Sequence, residues 1–507
     1  MDDQARVIAF LSEPRHHGLA EPVERVETHS AIVLLAGGLA YKLKRAVRYD
    51  YLDFSTLERR RLACEAEVAL NRRTAPDLYL GVVPVTEGPG GALALDGPGR
   101  AVEWLVVMRR FDQDALFDRL AANGRLPLPL MPALATAVAR LHAAAAVRPD
   151  HGGVAGMAWV IDGNAADFDP QPGDWPAGLP RAVTLAARAA LDRHADTLER
   201  RRAAGHVRQC HGDLHLRNIV LLDGRPVLFD GIEFNDRIAC VDVVYDLAFL
   251  LMDLLRRELP AHASAVFNHY FAVADEDEGL ALLPLFLSCR AAVRAKTSAA
   301  AARLQPEPAA AQASWRLAHA YLRQAAALLE PRPVTVIAIG GLSGAGKSTL
   351  AARLAPALGV APGALVLRSD VVRKHLLGAA LEDRLGPDGY TAAVTRRVYA
   401  ALAARARAAA AAGHSVIVDA VFAAPDTRAA VAAAAAGAGV RFTGLWLEAP
   451  AHTLRTRLAA RVGDVSDATP EVLEGQHRRG TLAWHLVDAV GDPAATERHA
   501  REVLDRG

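Results

Sequence analysis

The sequence predicts two segments of different class, an α+β segment followed by an α/β segment. Three observations carry this. Short strand-like runs fill the beginning of the chain, and mostly helical patterns follow from residue 112. Beyond residue 331, β-branched and aliphatic runs alternate with Ala-rich helical stretches. The first of those runs leads through a glycine-rich turn into a helix. Regular alternation of strand and helix implies a parallel sheet with helices on both faces.

The elements follow in order. "AIVLLAG" (31–37) and "LAYKLKR" (39–45), joined at a glycine turn, read as a hairpin. Residues 55–73 read as a helix capped by Ser55, with Glu58 completing a capping box. "LYLGVVPV" and "VEWLVVMRRF" are further strands, and "HGDLHLRNIVLLDGRPVLFDGIEF" is a β-rich island among helices. A helix over roughly 309–329 stops before Pro331 and Pro333. Strands are then expected at 334–339, 364–368, 415–419, 441–447 and 485–489. This places one domain at 1–330, with a small lobe at about 1–108 and a helical lobe at about 112–330, and a second at 331–507.

With 52% hydrophobic residues, each segment can bury a sizeable core. A net charge of +1 gives no electrostatic reason to expect duplex nucleic acid or an anionic membrane as partner. "LAFLLMDLL" (247–255) is apolar but too short for a bilayer, and Asp246 and Asp253 flank and interrupt it. The beginning, "MDDQARVIAF", carries no secretory pattern. Cys64, Cys210, Cys240 and Cys289 lie far apart, as free thiols of a reducing cytoplasm do. The acidic stretch "VADEDEG" (273–279) reads as a solvated connection between helices.

Two stretches carry chemistry. In "HGDLHLRN" (211–218), Asp213 and Asn218 stand five apart, and Asp230 follows a hairpin. Phosphoryl transfer needs a carboxylate that accepts a hydroxyl proton, and an amide oxygen and a second carboxylate that hold Mg²⁺ on ATP. This arrangement resembles the protein-kinase-like fold of the aminoglycoside phosphotransferase and choline kinase group. The resemblance implies a two-lobed domain with Asp213 as catalytic base and Asn218 and Asp230 as metal ligands. It differs at Leu216-Arg217, where that group often has Pro-Gly. The fold also needs a strand lysine paired with a helix glutamate. Lys42 and Lys44 share a strand face. Lys42, two residues after Ala40, is favoured, with Glu67 or Glu65 as partner. "VVMRRF" (106–111) falls where the hinge between lobes belongs. No glycine-rich loop precedes the hairpin, and Thr28, His29 and Ser30 stand in its place.

The second stretch, "GLSGAGKST" (341–349), fits the P-loop pattern, and a buried strand precedes it while a helix follows. Gly341, Ser343, Gly344, Ala345, Gly346 and Thr349 belong to the phosphate cradle, Lys347 reaches the β and γ phosphates, and Ser348 ligates Mg²⁺. Asp370 and Arg373 follow the second strand, where an acid activates an acceptor hydroxyl and an arginine holds an anionic substrate group. The competing reading makes Asp370 a helix N-cap. Asp419 ends the third strand, where it would bind substrate or support the Mg²⁺ site from behind its ligands. Arg455, Arg457 and Arg461 lie on a helix placed like a kinase lid. This half resembles P-loop kinases of the gluconate kinase, chloramphenicol phosphotransferase, zeta-toxin and polynucleotide kinase group.

The order of the two halves, with "YKLKRAV" and "VIVDAVF", resembles bacterial proteins described as bifunctional aminoglycoside phosphotransferase/ATP-binding proteins. That likeness implies a cytoplasmic ATP- and Mg²⁺-dependent phosphotransferase with two sites acting on small hydroxylated metabolites or drugs. The alternatives are a single P-loop kinase with a non-catalytic kinase-like domain, and a polynucleotide 5′-end kinase. Scarce basic and aromatic clustering counts against nucleic acid.

Overall fold

The computed structural model describes residues 3–28, 30–49, 52–168, 174–460, 465–467, 473, 476 and 481–506. The chain forms two compact units. One comprises Met1–Met157 with Glu199–Asp253, the other Ala158–Leu198 with Leu254–Gly507.

The first unit opens with the helix Asp3–Ser12 and an antiparallel sheet. Its strands are β1 (Glu24–Glu27), β2 (Ala31–Ala36), β3 (Leu39–Lys44), β6 (Tyr79–Glu87), β7 (Leu93–Leu95) and β8 (Arg100–Arg109), in the order β1-β2-β3-β8-β6-β7. A short pair, β4 (Arg48–Tyr49) and β5 (Leu52–Asp53), lies between β3 and the helix Leu57–Asn71. Strand alternation sorts β3 cleanly. Leu43 packs with Val7 and Leu11 on one face, and Ala40 packs with Cys64 and Val68 of the helix on the other. Lys42 and Lys44 share the Ala40 face.

The helix Leu57–Asn71 is capped by Thr56, whose hydroxyl accepts from Arg59 N, and not by Ser55 as its sequence suggested. Ser55 instead donates to Asp53, and Glu58 pairs with Arg61. The capping-box expectation therefore fails by one residue.

The later part of the first unit holds four short strands: β9 (Val207–Gln209), β10 (Ile219–Leu222), β11 (Arg225–Leu228) and β12 (Cys240–Asp242). β10 and β11 form the expected hairpin, and β9 pairs with β12. The helix Val243–Arg256, which contains the apolar run, is almost wholly buried. Among the described residues no helix is long and apolar enough to cross a membrane.

The second unit carries a five-stranded sheet whose ladders are all parallel. Its strands are β13 (Thr335–Gly340), β14 (Leu365–Arg368), β15 (Val416–Asp419), β16 (Arg441–Glu448) and β17 (His485–Asp488), in the order β14-β15-β13-β16-β17. Every expected strand is present. β13 is buried on both faces, which explains its unbroken apolar run.

The helices Pro260–Ala274, Leu283–Leu304 and Pro308–Ala327 belong to this same unit, so compactness does not divide the chain at residue 331. Side-chain contacts show why. Asn268 covers the edge of β14, accepting from Val366 N at 2.7 Å and donating to Ala364 O at 3.2 Å. An exposed edge leaves such groups unpaired. Asp275 and Asp277, in the acidic stretch, pair with Arg405 at 2.8 and 2.7 Å. That stretch is thus a polar docking point as well as a connection.

Candidate phosphoryl-transfer sites

In the first unit, Lys42 Nζ lies 2.8 Å from Glu67 Oε1 and 2.6 Å from Asp230 Oδ1. Glu67 is the partner because it continues the buried stripe Arg60–Cys64–Glu67–Asn71 of its helix. Glu65 points to the surface and pairs with Arg61. Burial favours the neutral form of Glu67, but Lys42 and Lys44 outweigh it and hold its pKa down to about 2. Burial likewise works against the charge on Lys42, and Asp230 and Glu67 outweigh that and keep its pKa well above the usual range.

The loop carrying Asp213 is held from below. Asp246 accepts from His211 N at 3.1 Å and Gly212 N at 2.9 Å, and Asp253 accepts from Leu216 N at 3.1 Å. His142 Nε2 lies 3.2 Å from Asp246. Gly212 has φ +82°, and a Cβ there would crowd Ile232 at 3.0 Å, so glycine is required. His211 Nε2 donates to Phe229 O at 2.9 Å, which ties the loop to the strand leading to Asp230. Burial lowers the His211 pKa, against the charges of Asp246 and Asp213.

Asn218 Nδ2 donates to Asp213 Oδ2 at 3.0 Å. This turns the Asn218 amide oxygen away from Asp213 and leaves it for another partner. Asp230 has φ +62°, an unusual conformation for a non-glycine. Its N–H donates to the Tyr79 hydroxyl at 3.1 Å, and the next N–H, of Gly231, donates to Asn71 Oδ1 at 2.8 Å. The Asp230 side chain remains 43% exposed, so its carboxylate can face a ligand. One amide oxygen and one carboxylate are hard donors suited to Mg²⁺.

Between β1 and β2 the chain turns tightly. Thr28 N donates to Ala31 O and Ala31 N donates to the Thr28 hydroxyl, both at 2.9 Å. Thr28 thus spends its donors inside the turn, and His29 lies outside the described residues. Beside the end of the stretch 106–111, a cleft of about 490 Å³ is lined by Gly37, Gly38, Arg110 and Phe111 among others.

In the second unit, Gly344 and Gly346 adopt φ +85° and +91°. A Cβ on Gly344 would meet Leu454 O at 2.6 Å, while one on Gly346 would enter open space beside the helix Lys347–Leu354. An open cradle at a helix N-terminus fits a phosphate group. Lys347 Nζ lies 3.1 Å from Leu342 O. Ser348 Oγ donates to Asp419 Oδ2 at 2.5 Å. A hydroxyl backed by a carboxylate suits a metal bound through Ser348. Ala345 is buried in the core, so only its backbone can serve the cradle, and Thr349 is exposed on the first helical turn. Gln476, which sequence reasoning missed, accepts from Ser343 N at 2.9 Å and donates to Ser343 Oγ at 3.0 Å.

Asp370 stands inside the first turn of the helix Ser369–Leu376, whose N-cap is Arg368. Asp370 is therefore no N-cap. Burial raises its pKa, against a hydrogen bond from Ser466 and the charges of Arg368 and Lys347. Arg368 Nε also lies 3.6 Å from Asp419. Arg373 is buried and committed to local contacts. It donates to Gly389 O at 2.8 Å and lies over the Tyr390 ring, 4.6 Å from its centroid. Its Nε is buried without a hydrogen-bond partner. Arg455 is exposed on the helix Ala451–Ala459, Arg457 donates to the carbonyls of Val490 and Gly491, and Arg461 lies outside the described residues.

Residues 55–283 match the family described as "Phosphotransferase enzyme family", and residues 336–482 match one described as "AAA domain". Uncharacterized proteins of Mycobacterium tuberculosis and Mycobacterium bovis are each 32% identical over 483 residues, covering 92% of both chains. A choline/ethanolamine kinase family protein from Mesorhizobium loti is 17% identical, covering 64% of this chain and 99% of its own, with a TM-score of 0.40. An APS kinase from Mycobacterium tuberculosis is 24% identical, covering 35% of this chain and 98% of its own, with a TM-score of 0.25. The chain belongs to the family of these mycobacterial relatives, and joins a phosphotransferase domain of the aminoglycoside phosphotransferase type to a P-loop kinase domain.

Proposed function

We propose that the chain is an ATP- and Mg²⁺-dependent phosphotransferase with two phosphoryl-transfer sites, each acting on a hydroxyl of a small molecule. The observation that carries the reading is the meeting of Lys42, Glu67 and Asp230, drawn from three distant parts of the sequence. Lys42 would hold the α and β phosphates, Asn218 and Asp230 the metal, and Asp213 would take the acceptor's proton. In the P-loop unit Lys347 and the cradle would hold the phosphates, Ser348 the metal with Asp419 behind it, and Asp370 would take the proton. Arg373 would shape the acceptor side through the Tyr390 turn. When bound, Mg²⁺ neutralises charge on the phosphates. We keep residue 331 as the junction of the two domains, since the family matches end at 283 and begin at 336. A cytoplasmic location is part of this reading, in keeping with four buried cysteines, none of them in a disulfide.

A second reading has a specific observation in its favour. The self-closed Thr28–Ala31 turn offers no glycine-rich cover for phosphates, so the first unit would bind without transferring. Labelled ATP, a hydroxylated-metabolite library and a 5′-hydroxyl oligonucleotide test both readings. Label transfer that survives Lys347→Ala and is lost when Asp213→Asn is added to it supports two sites. Transfer abolished by Lys347→Ala alone supports the second reading.

A further inference from the structure

Lys44 is left over by the function above. It sits two residues beyond Lys42 on the same strand face, yet its side chain is only 3% exposed against 17% for Lys42. It lies 4.8 Å from the centroid of the Phe54 ring. A lysine sealed in this way cannot meet an incoming phosphate. Lys44 Nζ donates instead to Glu67 Oε2 at 2.7 Å and to Glu233 Oε1 at 2.5 Å.

The two lysines thus form a ladder. Each takes one oxygen of Glu67 and one carboxylate of the segment 230–233. Glu67 is fully buried, and a buried carboxylate without a partner is strongly destabilising. When Lys42 meets a phosphate it divides its charge between that phosphate and Glu67. Asp230 likewise divides its charge between Lys42 and a metal. The inner rung, Lys44 with Glu233, faces neither demand.

We propose that Lys44 and Glu233 are positioning residues of the first site. They compensate the Glu67 charge and pin the Asp230 segment while Lys42 and Asp230 turn to the nucleotide and its metal. This rests on the reading of that site as a metal–nucleotide site. Loss of Glu233 should therefore show in how much Mg²⁺ tightens nucleotide binding, and little in binding without metal.

The test is calorimetric titration of ATP into the full chain carrying Lys347→Ala, with and without Mg²⁺. Adding Glu233→Gln should reduce the tightening by Mg²⁺ about 10-fold or more, the usual effect of a residue supporting a metal ligand. Metal-free affinity should change by less than about 3-fold, because Lys42 is untouched. Lys44→Met, which leaves Glu67 to Lys42 alone, should reduce that tightening as well and also weaken metal-free binding. If a single variant does not fold, the paired Lys44→Met and Glu233→Met change takes its place, since Glu67 then keeps Lys42 and no buried charge is left unpaired. Equal tightening in parent and variant, or, for Glu233→Gln, an equal loss with and without metal, overturns the proposal. Absence of any ATP binding in the Lys347→Ala parent overturns the nucleotide-site reading itself.

Discussion

Ser348 Oγ donates a 2.5 Å hydrogen bond to Asp419 Oδ2, joining the first turn after the P-loop to the end of the neighbouring strand. The bond orients the hydroxyl that would bind the metal. Asp419→Asn is expected to weaken Mg²⁺-dependent ATP binding at this site about 10–100-fold, the effect typical of a group behind a metal ligand. Titration with and without Mg²⁺ in a Lys42→Met chain checks it. Unaltered metal dependence would remove Asp419 from the site.

Asp370 gives a sharper separation of chemistry from stability. Because Asp370 lies inside the helix and not at its N-cap position, Asp370→Asn should leave the thermal midpoint close to that of the parent. Transfer to the acceptor should fall roughly 10²–10⁴-fold if the carboxylate acts as general base. A lower midpoint with near-normal kcat would contradict the assignment.

His414 predicts a pH dependence. It is fully buried, and burial lowers its pKa from 6.5 to about 4. The folded chain keeps it neutral while the unfolded chain protonates it below its ordinary pKa. Its contribution is therefore complete above pH 6.5 and is lost as the pH falls from 6.5 to about 4. The loss amounts to about 3 kcal/mol at most. Thermal midpoints across that window should fall less steeply in His414→Gln than in the parent. Parallel slopes would rule His414 out as the source.

Much of this arrangement can be read from sequence, and the failures have physical reasons. The P-loop and the alternating strands are local signals, carried by glycines at positive φ and by an unbroken apolar run. Choosing Glu67 over Glu65 required helix phase, since the two residues differ by more than half a turn. Tyr79 and Asn71 are invisible from sequence because they act on the backbone of Asp230 and Gly231 from far along the chain. Asp246 and Asp253 did leave a signal. Two acids seven residues apart in an apolar helix share a face, and here both accept from the loop around Asp213. The compact units escape sequence because Asn268 and the Asp275–Arg405 contacts join segments that composition separates.

Asn268 makes that joining testable. Asn268→Leu removes both bonds to the β14 edge and leaves Val366 N–H without its partner. A cost of about 1–3 kcal/mol is expected. Differential scanning calorimetry should show a lower midpoint for the transition that contains the P-loop sheet, and an unchanged midpoint would argue against the edge contact.

Nucleotide stoichiometry of the full chain tests the central claim most directly. With Mg²⁺ and a non-hydrolysable ATP analogue, calorimetry should count two sites per chain. Lys347→Ala should leave one, Lys42→Met should leave the other, and the double variant should bind none. A single site that vanishes in Lys347→Ala and persists unchanged in Lys42→Met would contradict the account.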